Sequence, residues 1–270
     1  MAVQSGVFAA LLAQKGYSGT EKVFEGKEGF MDAYIGWNAK DESLKPTDME
    51  GRDGLSSWSW DLDALVEGLG ESYKIMECGM KAFPTEALTH THLSCLLNAM
   101  IGNNLDYTEI KEVKVTCFAQ AYDILFDPTK YRPESRETAD HSLPYCLAAA
   151  MVDKKITTES FSNEKLSDPR IFEVIDKIKG EPSQEFEKMF PDKQPSKVVV
   201  TTNDGREFEE YLEYPKGDPR EPMTMEDLEN KFNSLAGEKF DTNAKAQLKS
   251  DIFNCEDMSS CEFMNKLNVQ

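Results

Sequence analysis

The sequence predicts an α+β fold in which both chain ends form a helical domain and an α/β lid domain is inserted between them. Three observations carry that expectation. Residues 1–77 read as helices and loops, residues 78–217 mix helical spacing with alternating runs and a hairpin turn, and residues 218–270 return to helical pattern. The expected domains are therefore 1–77, the lid at 78–217, and the return segment 218–270.

At the N-terminus, "MAVQSGVFAALLAQKG" spaces Val3, Val7, Ala10 and Leu11 as an amphipathic helix, with Gly16 as its stop. "EGKEGFMDAYIG" (25–36) joins helix-like spacing to glycine punctuation, "NAKDESLKPTDMEGRDG" (38–54) is a polar loop, and "DLDALVEGLG" (61–70) predicts a short helix. "TEALTHTHLSCLLNAMIG" follows Pro84 and ends in glycine, which predicts a helix over 85–102. "EIKEVKVTCFA" alternates around Ile110, Val113, Val115 and Cys117, as a strand does. "SRETADHSLPYCLAAAMVD" (135–153) predicts a helix capped by Ser135 or Thr138, with a kink or late start at Pro144. "DPRIFEVIDKIKG" predicts a helix from Pro169 to just before Gly180. "KVVVTTNDGREFEEYLEYP" is a hairpin about Asn203-Asp204-Gly205. After the linker "KGDPREP", Thr224 and Asp227 form a capping-box start for a helix over 224–237.

Composition excludes several classes. Acidic side chains outnumber basic ones by 49 to 30, giving a net charge of −19, and no Lys/Arg run is present to meet phosphates. Nucleic acid is therefore not an expected partner. No apolar stretch reaches the roughly 20 residues needed to span a bilayer, so no membrane partner is expected. The first apolar run lacks a preceding basic segment, so the expectation is a cytoplasmic protein. The six cysteines are scattered without a CxxC, which signals neither zinc nor iron–sulfur; most are expected to be reduced, buried apolar groups.

The three histidines are His90, His92 and His141. A His-x-His pair with a distant third can bind zinc, but on a helix positions two apart diverge by about 200°. Only one of the pair then faces any given site. Taken singly, Lys81 reads as a surface lysine, Glu86 as a helix-start acid, and Tyr122 and Tyr145 as packing residues with tethered hydroxyls. Taken together, Lys81, His90, Tyr122 and His141 in one α/β block point to proton transfer on an anionic substrate.

These stretches resemble the MmgE/PrpD family, which includes 2-methylcitrate dehydratases and cis-aconitate decarboxylases. "RETADHSLPYCLAAAMVDKKIT" is similar to one of its segments, and "KAFPTEALTHTH" to the Lys-Phe-Pro motif opening its smaller domain. "AVQSGVFAALLAQKGYSGTEKVFEGKEGFMDAY" resembles the helix and loop after its central catalytic segment. "GREFEEYLEYPKGDPREPMTMEDLENKF" resembles its closing hairpin and helical return. The resemblance implies a helical domain with an α/β lid, a cleft between them, a homodimer, and no metal or other cofactor. Carried over by position, Lys81 binds substrate carboxylate, and His90 and Tyr122 are the catalytic candidates. Glu86 stands where animal-type decarboxylases carry histidine, and "FPTE" is closer to the dehydratases. His141 and Tyr145 belong to an HS-x-x-Y element, either contacting substrate or packing near the cleft. The family's Lys/His element aligns upstream of Met1, so a complementary N-terminal chain is an expected partner. The implied function is metal-independent dehydration of a tricarboxylate such as 2-methylcitrate. A cis-aconitate-type decarboxylase and a non-catalytic subunit of a split enzyme are the alternatives.

Overall fold

A computed structural model describes residues 1–24, 29–30, 66–237 and 240–267. The chain divides into two compact units, residues 1–73 and 74–270. In the first, helix α1 (Ala2–Gln14) forms where the apolar spacing places it, and Gly16 at φ +89° follows it. Its apolar side chains Val3, Val7, Phe8 and Leu11 are exposed. The elements expected over 25–36 and 38–54 lie essentially outside the described residues, as do the first five positions of 61–70. The remainder of that last segment is a turn, with Gly68 and Gly70 both at positive φ.

The second unit has an α+β architecture. Its four-stranded mixed sheet is ordered β2-β1-β3-β4, from β1 (Ile110–Cys117), β2 (Ile178–Pro182), β3 (Ser196–Thr202) and β4 (Glu207–Leu212). β1 runs parallel to β2 and antiparallel to β3, and β3–β4 is the hairpin, turning at Gly205 with φ +88°. Ile110 and Val113 both face the core although three positions apart. A register shift between Ile110 and Glu112 resets the pleat.

One sheet face is covered by α2 (His90–Gly102), packed on β3 and β4, and by α5 (Leu143–Asp153), packed on α2 and β2. The other face carries cross-strand ion pairs, Lys114–Glu181 at 2.8 Å and Lys197–Glu209 at 3.0 Å. Between these layers lie Leu93, Leu96, Val113, Val115, Val198 and Val200, all fully buried.

Of two expected helices, the one over 135–153 is capped by Ser135 and broken just before Pro144 as expected, and the one from Pro169 ends early. The segment 135–153 is two helices, α4 (Arg136–Asp140) and α5, with α3 (Ala119–Leu125) preceding them in the chain. The break falls at His141–Ser142, because Ser142 Oγ accepts the Tyr145 N–H at 3.1 Å and Pro144 sits in the new first turn. The helix begun by Pro169 stops early, as α6 (Pro169–Ile175), and Ile178–Pro182 becomes a strand. Pairing of Val113 with Ile178 overrides the helical spacing there. Gly180 is thus a strand residue, and Phe126 lies against its missing side chain: an added Cβ would come within 2.7 Å of the ring.

After β2 come α7 (Gln184–Glu187) and the hairpin, then α8 (Met225–Ala236), α9 (Thr242–Phe253) and α10 (Ser260–Leu267). Thr224 Oγ1 accepts the Asp227 N–H at 3.1 Å while Asp227 reaches back to Thr224 N at 2.9 Å, the predicted capping box. All six cysteines are free; Cys95, Cys117 and Cys146 are buried, whereas Cys78, Cys255 and Cys261 are exposed, against the expectation that most are buried. Among the described residues no helix is long and apolar enough to cross a membrane.

His92 is fully buried and joins α2 to β3 through an Nδ1–Ser196 Oγ contact of 2.5 Å. Burial holds its pKa down at about 3. From pH 6.5 down to about 3 the unfolded chain takes up a proton there that the folded chain refuses. Stability therefore falls as pH falls, by up to ~1.4 kcal/mol per unit. Urea midpoints measured between pH 7 and 5 should drop, and more gently in a His92→Gln variant; equal slopes would remove His92 as a cause. Separately, Gly180→Val should cost about 1–3 kcal/mol through overpacking against Phe126, partly restored by adding Phe126→Leu. Urea titration of the single and double variants reads this directly.

Candidate active site

The segment entering α2 is pinned by its backbone. Met80 N–H donates to the Gly217 carbonyl at 2.8 Å, and Glu86 N–H to the Asp140 carbonyl at 3.0 Å. Lys231 Nζ on α8 donates to the Lys81 carbonyl at 2.5 Å. Gly217 has φ +95°, and a Cβ there would lie 1.9 Å from the Met80 oxygen, so the first contact requires glycine. Pro84 and the Thr85–Thr89 hydroxyl contact at 2.7 Å then turn the chain into the helix.

Two clefts open on this segment. The larger, of about 670 Å³, is lined by Lys81, Lys154, Lys155, Lys216 and Lys231, with Glu221 and Asp227 as its acids. A surplus of ammonium groups is the reverse of the chain's net charge of −19. Asp227 is occupied by Lys216 at 2.8 Å, which together with the Thr224 N–H holds its carboxyl at about 2. Lys154 ends α5 in the left-handed region at φ +53°, uncommon outside glycine and asparagine. Among the described residues neither Lys154 nor Lys155 has an ion-pair partner. Ser94 lines the same cleft, nine-tenths buried, and its hydroxyl has no hydrogen-bond partner. An anion entering here would meet uncommitted donors.

The smaller cleft, about 310 Å³, is lined by Lys81, Pro84, Thr85, Glu86, Asp140 and His141. Lys81 and Pro84 line both clefts, so the two adjoin. Lys81 Nζ donates one hydrogen bond, to the Thr85 carbonyl at 2.8 Å. The Glu86 carboxylate accepts the Leu88 N–H at 2.7 Å as cap of the turn Ala87–Thr89. His141 Nδ1 contacts Asp140 Oδ1 and lies 3.1 Å from the Glu137 carbonyl.

Of the six residues singled out from sequence, Lys81, Glu86 and His141 meet at the smaller cleft. His90 is 3% exposed behind Phe83, with ring centroids 5.4 Å apart, and lines neither cleft. Burial, reinforced by the charges of Lys81 and Lys231, lowers its pKa to about 4, and its Nε2 has no partner. Tyr122 is half-buried, stacked on Phe126 at 5.7 Å, and lines neither cleft. Tyr145 is fully buried; its hydroxyl donates to the Ser160 carbonyl at 2.9 Å, and burial raises its pKa. Among the described residues no group of three or more His, Cys, Asp or Glu is placed to hold a metal ion. Sequence reasoning missed Lys154, Lys155, Lys216, Lys231 and Asp140. The adjacent pair Lys154-Lys155 at a helix end was the one local signal available.

Comparison with known proteins adds to this geometry. Residues 1–43 match the MmgE/PrpD N-terminal domain and residues 83–255 the MmgE/PrpD C-terminal domain. The chain is similar to a cis-aconitate decarboxylase of Homo sapiens, 25% identical, over 98% of this chain and 51% of that protein. It is also similar to those of Mus musculus (24%; 98% and 50%) and Aspergillus terreus (24%; 87% and 46%). The chain thus spans about half the length of the curated relatives it matches. Since the C-terminal-domain match alone covers more than half of the sequence, the chain belongs to the MmgE/PrpD family.

Proposed function

We propose that this chain carries the carboxylate-binding part of an MmgE/PrpD-type lyase whose substrate is a tricarboxylate. The single observation that carries the reading is the lysine-lined cleft in a chain of net charge −19. Low-dielectric walls with convergent ammonium groups concentrate anions that the rest of the surface repels. Lys81, at the junction of the two clefts, offsets the charge that develops beside a carboxylate when the adjacent carbon gains an electron pair.

Decarboxylation of cis-aconitate is the reaction the relatives favour, since the matched proteins carry that activity in their names. The C–C bond to the departing carboxylate breaks, CO2 leaves, and the electron pair remaining on carbon takes a proton. Metal-independent dehydration of 2-methylcitrate is the second reading, favoured by "FPTE" at 83–86. The family resemblance implies His90 and Tyr122 as proton-transfer groups, but neither lines a cleft here. The proposed organisation is a helical domain from 1–77 and 218–270 around a lid at 78–217, acting as a homodimer or with a complementary N-terminal chain. The N-terminal-domain match at 1–43 supports the first part of it.

Tricarballylate, a tricarboxylate that neither loses water nor decarboxylates readily, tests the site without turnover. Calorimetry should show binding that weakens with added salt, as exposed charges are screened. The Lys154→Ala/Lys155→Ala variant should bind about tenfold or more weakly, the loss of charge-assisted hydrogen bonds. Unchanged affinity would place the anion elsewhere. With the complete assembly, CO2 release from cis-aconitate set beside 2-methylcitrate loss separates the two reactions, and a chelator should leave either rate unchanged.

A further inference from the structure

We infer that His141, held by Asp140, is the proton-transfer group of this site; the inference rests on the lysine-cleft reading above and deepens it. A histidine that moves protons has one ring nitrogen tied, commonly to a carboxylate, and the other free towards the reacting atom. Here Nδ1 is taken up by Asp140 Oδ1, with the Glu137 carbonyl 3.1 Å away. The Nε2 of the same ring has no partner among the described residues. The side chain is 53% exposed and lines the smaller cleft, which Lys81 also lines.

The other two histidines are built differently. His92 is fully buried and tied to Ser196, and His90 is buried behind Phe83. Neither lines a cleft, whereas His141 lines the smaller one. His141 sits at the break between α4 and α5, as the residue ending α4. Asp140 is a positioning residue: its carbonyl holds Glu86 N and its carboxylate holds the imidazole, so one residue sets both walls. The charged groups around the ring are Asp140 and Glu137 on α4 and Lys81 and Glu86, which line the same cleft. The adjoining turns Thr158–Phe161 and Pro128–Tyr131 carry Glu159 and Lys130.

In the decarboxylation reading, the imidazolium Nε2–H passes its proton to the carbon that kept the electron pair when CO2 left. His141 is then neutral and regains a proton from solvent through its exposed edge. In the dehydration reading the same proton goes to the hydroxyl oxygen as its C–O bond breaks, and water leaves.

The test has two arms. Proton–carbon NMR of the three histidines in the isolated chain should show the His141 signal moving when tricarballylate is added, and not in the Lys154→Ala/Lys155→Ala variant. In the complete assembly, His141→Gln should lower kcat about 10²–10⁴-fold, with KM changed less than about threefold. Asp140→Asn should lower kcat less and move the alkaline limb of the pH–kcat profile to lower pH, because the imidazolium that donates the proton loses its counter-charge. Binding of tricarballylate with an unmoved His141 signal, or full kcat in His141→Gln, overturns the dyad alone. Absence of tricarballylate binding overturns the cleft reading and the dyad with it.

Discussion

The site depends on a short stretch of backbone tied at three points to three separate elements. Residues 80–86 are held by the Gly217 turn, by α8 through Lys231, and by the end of α4 through the Asp140 carbonyl. None of these contacts uses the side chain of Lys81, which leaves its ammonium with two unassigned protons at the seam between the clefts. The first contact tolerates no Cβ at Gly217, so a turn distant in sequence decides where the lysine stands. Behind the stretch, α2 gives it a rigid back wall, because His92 and Cys95 anchor that helix to the start of β3.

Electrostatics gives this scaffold its direction. Acidic side chains outnumber basic ones, and several lysines are held in pairs such as Lys193–Glu213 and Lys165–Asp153. In the larger cleft Lys154 and Lys155 have no ion-pair partner among the described residues, and Asp227 is already paired with Lys216. A field of one sign outside and the other inside favours small anions that can enter the cleft over anionic surfaces that cannot.

Much of the lid was legible from local signals. The Asn203-Asp204-Gly205 turn, the Thr224–Asp227 box and the β1 anchors each follow from chemistry within a few residues. What escaped was long-range. Ile175 and Ile178 suit a helix as well as a strand boundary, and parallel pairing with β1 decides between them. The offset of Ile110 from Val113 needed a bulge that only the partner strand reveals. At the site, Lys81, Glu86 and His141 were readable because they lie in two short motifs. The other four lysines come from three further stretches that only the folded chain assembles, and Tyr145 looked available until its hydroxyl met Ser160.

The order of the sheet has one more effect, on self-association. Its two outermost strands are β2 and β4, and each offers an open row of backbone groups to a second molecule. β4 presents Glu207, Glu209 and Glu210 within six residues, and β2 ends in Pro182, which has no N–H to donate. Two copies meeting along β4 would set glutamates against glutamates, and a strand laid on β2 would lose a rung. The sheet is thus closed to extension by charge on one side and by proline on the other.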